Sequence, residues 1–145
     1  MVERHSLRRV LVAALTGASL LVVAPASAAT PSEAQEVPLW VCDYDWQEGS
    51  WHIKQLIRCA ANRWDTPGGP VKAIEVARCE SGLRPTEYNP NGYAGLFQHA
   101  TRYWPGRADA YGMPDRSVFN GRANIIVSVR MARSLGSWSA WVGCG

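Results

Sequence analysis

The sequence predicts an α+β domain, mainly α-helical, with one small β-hairpin beside a groove. Three observations carry this. Apolar residues recur at helical spacing in Ile53–Trp64, Val71–Ala77 and Ala123–Met131. Turn formers such as Asp65-Thr66-Pro67-Gly68-Gly69 separate those stretches. Asn91-Gly92 sits between short apolar pieces, which is a hairpin signal.

The elements follow in chain order. Arg4, Arg8 and Arg9 form a basic region, Val10 to Val23 an apolar core and Ala26-Ser27-Ala28 a small-residue cleavage site, so residues 1–28 read as an export signal. The apolar core is too short to span a bilayer comfortably. Residues 29–39 are Ala/Pro/Glu/Ser-rich and read as a flexible spacer. Residues 40–145 form the domain, beginning with an irregular aromatic and acidic stretch from Trp40 to Glu48. Ser50 is expected to cap a first helix carrying Ile53, Leu56, Ile57, Ala60 and Trp64. Pro70 suits the first turn of a second helix, with Val71, Ile74, Ala77 and the stem of Arg78 as its buried stripe. Gly82 ends that helix in a left-handed cap, which leaves Glu80 in the last turn. The hairpin occupies Tyr88 to Phe97. Ala100 to Ala110 has weak helical character, interrupted by Pro105-Gly106. Asn120 caps a final helix from Arg122 to Leu135, whose broad apolar surface includes Ala123, Ile126, Val127, Val129, Arg130 and Met131.

Charge is unevenly spread. The whole chain carries +3, and loss of the signal lowers this to about +1. Ala29 to Ser50 holds acidic residues and no basic ones, whereas Trp51 onward has 12 basic against 6 acidic side chains. A basic body is drawn to polyanionic surfaces such as a cell wall. The export signal argues against nucleic acid as the partner. Cys42, Cys59, Cys79 and Cys144 are an even set in an exported chain, read as two disulfides. Three pairings are possible, and Cys42–Cys59 with Cys79–Cys144 is the favoured one. It staples the N-terminal arm to the first helix and ties the C-terminus beneath Glu80. No C-x-x-C pair is present, so neither a metal nor a cofactor is expected.

Glu80 is the candidate catalytic group. The C-terminal end of a helix is electronegative, and burial disfavours a carboxylate further. Both push the group toward its protonated form, which is what a general acid requires. Arg78 and Arg84 would oppose the shift if they came near.

Glu80-Ser81, Pro85, Gly92 and Gly95-Leu96-Phe97-Gln98 stand at the spacing of a known signature. The window resembles that of the soluble lytic transglycosylases, which share a fold with goose-type lysozymes. Asn124-Ile125 matches a downstream Asn-Ile of that family, and Cys79-Glu80-Ser81-Gly82 with Asn91-Gly92-Tyr93 is similar to the resuscitation-promoting factors. The close match covers about a fifth of the mature chain. The resemblance implies a lysozyme-like domain that cuts peptidoglycan glycan strands. Glu80 would protonate the oxygen joining N-acetylmuramic acid to N-acetylglucosamine, then act as base while an anhydro ring closes. It further implies that Asn89 contacts the acetamido group and that Gln98 lines the cleft floor, with Asn124 among the binding residues.

This chain departs from the pattern at several positions. Phe97 stands where methionine is usual, and Arg84 replaces a common Asn or Asp. Glu87 replaces a small residue, and pointed inward it would be a second carboxylate, making water the acceptor as in a hydrolytic muramidase. The family's later Tyr-Asn-Ala-Gly segment is absent, with Gly136 to Trp141 in its place. Tyr93, Trp104 and Trp138 are candidates to stack on sugar rings. His52 and His99 lack a Ser or Cys nucleophile at a recognisable motif, which argues against a hydrolytic triad. Gly68-Gly69 lacks the Lys-Ser/Thr of a phosphate loop. The expected protein is a secreted or wall-associated monomer. A non-catalytic glycan-binding module and a disulfide-stapled inhibitor or effector are the alternatives.

Overall fold

The computed structural model describes residues 42–145, so the export signal, the spacer and the first two residues of the domain lie outside the described residues. The described part is mainly helical with a small antiparallel sheet. Helices α1 (Ser50–Arg63) and α2 (Gly69–Ser81) come first, then strands β1 (Tyr88–Asn89), β2 (Tyr93–Ala94) and β3 (His99–Ala100), then helices α3 (Trp104–Ala110) and α4 (Gly121–Leu135). Short 3₁₀ turns precede α1 and α3. No helix among the described residues is long and apolar enough to cross a membrane.

α1 buries Ile53, Leu56, Ile57, Ala60 and Ala61. Its cap is Gly49 rather than Ser50, because the Gly49 carbonyl takes the first helical bond from Ile53 and no side chain caps the end. α2 begins with Pro70 in its first turn and ends at Gly82, which is left-handed at φ 64°. Its buried side is Ala73, Ile74, Val76 and Ala77; Val71 is 69% exposed and Arg78 is exposed, so the stripe is rotated from the expected one. α4 runs through the centre of the core. Asn120 caps it by accepting from Ala123 N–H at 3.0 Å, and Ala123 through Val129 are buried without a break. One side of α4 faces α1, α2, Phe97, Trp138 and Trp141; the other faces α3, Met113 and Val118.

The hairpin has a third strand that the periodicity did not show. β1 pairs with β2, and β2 pairs with β3. Pro90-Asn91-Gly92 forms a three-residue loop closed by Gly92 N–H to Asn89 O at 2.8 Å. Pro105-Gly106 does not interrupt the helical stretch but falls in the first turn of α3, where proline loses no bond.

The disulfides are Cys42–Cys59 and Cys79–Cys144. The first ties the entering chain to α1, and the second ties the C-terminus to α2 one residue before Glu80. Asn124 is fully buried on α4, where Oδ1 accepts from Phe97 N–H at 2.9 Å and Nδ2 donates to Val118 O at 2.9 Å. Gly95 leaves room for this clasp: a Cβ there would meet Asn124 Nδ2 at 2.3 Å and Val118 O at 2.4 Å, and its φ is +79°. Gly95→Ala is therefore expected to destabilise the fold by about 3 kcal/mol or more, from strain and overpacking together. Urea unfolding checks this.

Candidate active site

The end of α2 and the sheet converge on a cleft of about 320 Å³. Glu80, Asn89, Tyr93, Gln98, Ala140, Trp141 and Val142 line it. Four of the residues singled out in the sequence are thus brought together from α2, β1, β2 and the turn before β3. Ser81 fixes the junction: its hydroxyl donates to Leu96 O at 2.8 Å and accepts from Arg84 N–H at 3.2 Å. That holds the last turn of α2 against the Gly-Leu-Phe-Gln turn, so Glu80 faces the cleft beside Gln98.

Glu80 is half-buried, and burial raises its pKa above the ordinary carboxylate value. Among the described residues its carboxyl has no hydrogen bond or ion pair. Nothing nearby therefore stabilises the charged form, and the proton is retained to higher pH. The neighbouring amides are partly engaged. Asn89 Oδ1 accepts from Asn91 N–H at 2.8 Å, which leaves its NH₂ free to donate. Gln98 Nε2 donates to Gly95 O at 3.0 Å and Glu87 O at 3.3 Å, which leaves its Oε1 as an acceptor. Gln98 also holds a left-handed φ of 46°, a strained conformation for a side chain of this kind.

Four expected site residues, Glu87, Trp104, Asn124 and Trp138, lie elsewhere. Glu87 does not line the cleft: its Oε2 accepts from Arg84 Nε at 2.7 Å, and that hydrogen bond holds the carboxyl below its ordinary pKa. Trp104 is 5% exposed, gives its N–H to Arg116 O at 2.6 Å and borders a separate hollow of about 500 Å³ with Pro105 and Asp109. Asn124 binds backbone rather than facing the cleft, because its amide is consumed by Phe97 and Val118. Trp138 is also unsuited to stacking on a sugar. It is 4% exposed, parallel to Phe97 at 5.7 Å and bonded to Pro67 O.

The chain's end forms the opposite wall through Ala140, Trp141 and Val142, where the sequence offered only the stretch from Gly136 to Trp141 and no named wall residues. Its signal lay in Cys144, whose bond to Cys79 carries these residues to Glu80. Trp141 is anchored by its N–H to Phe97 O at 2.7 Å. Among the described residues no cluster of His, Cys, Asp and Glu has the make-up of a metal site.

His99 lies directly behind the cleft, between Trp104 and Trp141. It is 1% exposed, with Nε2 2.8 Å from Ser128 Oγ and Nδ1 2.9 Å from Arg107 Nη1. Ser128 donates to Asn124 O at 2.7 Å, so Nε2–H donates to Ser128 and Nδ1 accepts from Arg107. Burial, helped by the Arg107 charge, pushes the imidazole down to about 3. Above pH ~6.5 the ring is neutral in both folded and unfolded chains and contributes no pH dependence. As pH falls below that, the unfolded chain takes up the proton and the folded one does not, so stability drops until the folded pKa is passed. The loss is expected to be on the order of 5 kcal/mol. Melting curves between pH 7 and pH 3 test this, and His99→Gln should flatten the profile; parallel profiles would refute it.

Set against known proteins, the chain matches no family model, no curated protein and no solved structure.

Proposed function

We propose that the protein is a secreted muramidase with a lysozyme-like domain, acting on peptidoglycan in the manner of a lytic transglycosylase. The carrying observation is Glu80: a half-buried carboxyl of raised pKa, without a partner, on the wall of a cleft. Such a group donates a proton to a leaving oxygen. Glycosidases that hydrolyse through two carboxylates need the second one within about 5–9.5 Å of the first. Glu80 is the only carboxylate among the described cleft-lining residues, and Glu87 is paired outward. This supports a substrate-assisted reaction, in which the sugar's acetamido group stabilises the cationic transition state.

The remaining polar groups suit that partner. An acetamido group offers one carbonyl and one N–H. The free Asn89 NH₂ and Gln98 Oε1 supply the matching donor and acceptor, and Tyr93 adds an aromatic face. After proton transfer, the Glu80 carboxylate is placed to accept the muramyl hydroxyl proton as the anhydro ring forms. Two disulfides fit an oxidising compartment outside the cytosol.

Digestion of purified peptidoglycan followed by mass spectrometry tests the reading. Anhydromuramyl ends are expected. Reducing ends would make the enzyme a hydrolase, and saturable binding without any product would make it a glycan-binding module.

A further inference from the structure

The cleft continues past Tyr93, Gln98 and Trp141 into a second hollow of about 150 Å³, bounded by Arg102, Tyr103 and Arg107. Two guanidinium groups meet there around one ring: Arg102 lies 4.8 Å and Arg107 5.7 Å from the centroid of Tyr103. Neither pairs with a carboxylate among the described residues. Arg107 is half-buried, and desolvation lowers its pKa from the ordinary arginine value. A cation withdrawn from water without a counter-ion is costly. Its hydrogen bond to His99 goes to a neutral ring, so the bond orients the guanidinium without neutralising it. The His99–Ser128–Asn124 chain behind it is buried, and it holds Arg107 in place with one N–H directed inward. The other N–H groups of Arg107, and those of Arg102 that the Tyr103 side chain does not engage, are left for a ligand.

We infer that this end of the cleft is an anion subsite that takes a carboxylate of a peptide substituent carried on the glycan strand. The fork of a guanidinium matches a carboxylate in shape and charge, and two of them beside one groove favour a strand that bears such groups over an uncharged one. The inference rests on the glycan-cleft reading and deepens it. It distinguishes substrate strands by their peptide substituents, a selection that Glu80 cannot make.

The test uses calorimetric titration of Glu80→Gln protein, which holds its ligand without turning it over. The probes are an uncharged N-acetylglucosamine tetramer and a muramyl tetrasaccharide bearing L-alanyl-D-glutamate. Adding Arg102→Gln or Arg107→Gln is expected to weaken the peptide-bearing probe by roughly tenfold, and the uncharged probe by several-fold less. Arg102 is exposed, so its replacement leaves the fold intact even if Arg107→Gln disturbs His99. Equal losses for both probes, or no loss for either, would overturn the subsite. If the parent binds neither tetrasaccharide, the glycan reading fails. The subsite is then judged with muramyl dipeptide alone, by the side-chain NMR signals of Arg102 and Arg107. Shifts abolished by substitution would uphold it, and absence of shifts would overturn it.

Discussion

Glu80→Gln is expected to abolish digestion of peptidoglycan while raising the melting temperature at neutral pH. The amide keeps the shape of the side chain but has no proton to give, so the loss should be at least the roughly 10²–10⁴-fold of general acid catalysis. The stability gain follows from the raised pKa of the native carboxyl. As pH rises above the ordinary carboxylate value, the unfolded chain releases its proton freely, while the folded chain must either hold it or ionise in a poorly solvated cleft. Stability contributed by Glu80 is therefore full at low pH and is lost as pH rises through the folded pKa. Glutamine carries no such penalty, so the variant's advantage should be absent near pH 3 and grow toward neutrality. The same titration governs the wild-type rate, which should fall on the alkaline side as the acid loses its proton. Melting curves and rates across pH measure both. A variant that retains wall digestion refutes the catalytic role; one that melts with the parent at every pH refutes the environment assigned to Glu80.

The parts of the fold legible in the sequence were those carried by local pattern. The Ile53–Trp64 repeat, the Gly82 stop and the Asn120 cap all act within a few residues of themselves, and each stands where the spacing put it, with Gly49 replacing Ser50 at one cap. Properties decided by distant partners were not legible. Val71 has the right spacing to be buried but no neighbour to cover it. β3 depends on pairing with β2, for which His99-Ala100 carries no signature of its own. Asn124 shows the same gap at the site. A polar residue in a recognisable motif can face a ligand or satisfy backbone, and only the positions of Phe97 and Val118 decide between these. Glu80, Asn89, Tyr93 and Gln98 converge because the α2 stop and the Asn-Gly turn are both local signals that aim at one place. The opposite wall comes from the far end of the chain, and a single cystine brings it there.

That cystine should matter more for the cleft than for the helices. Replacing Cys79 and Cys144 together by alanine opens a loop with a sequence separation of 65, and chain entropy alone puts the cost at about 4 kcal/mol. What then holds the C-terminus is the packing of Trp138 and Trp141 on Phe97, with Trp138 N–H to Pro67 O, Trp141 N–H to Phe97 O and Lys72 Nζ to Cys144 O at 3.3 Å. Val142 is 93% exposed and adds almost nothing. The segment that carries Ala140, Trp141 and Val142 belongs to no helix or strand, so it is expected to loosen before α1 and α4. In the double variant, far-UV helicity at low temperature should be retained. Catalytic efficiency on peptidoglycan should drop by more than tenfold, because Glu80 loses the wall that shields it from water and its raised pKa relaxes. The alkaline limit of the rate profile should move to lower pH in step. Loss of helicity together with activity would mean that the bond supports the whole fold. Full activity in a well-folded variant would mean that the C-terminal wall plays no part in the chemistry.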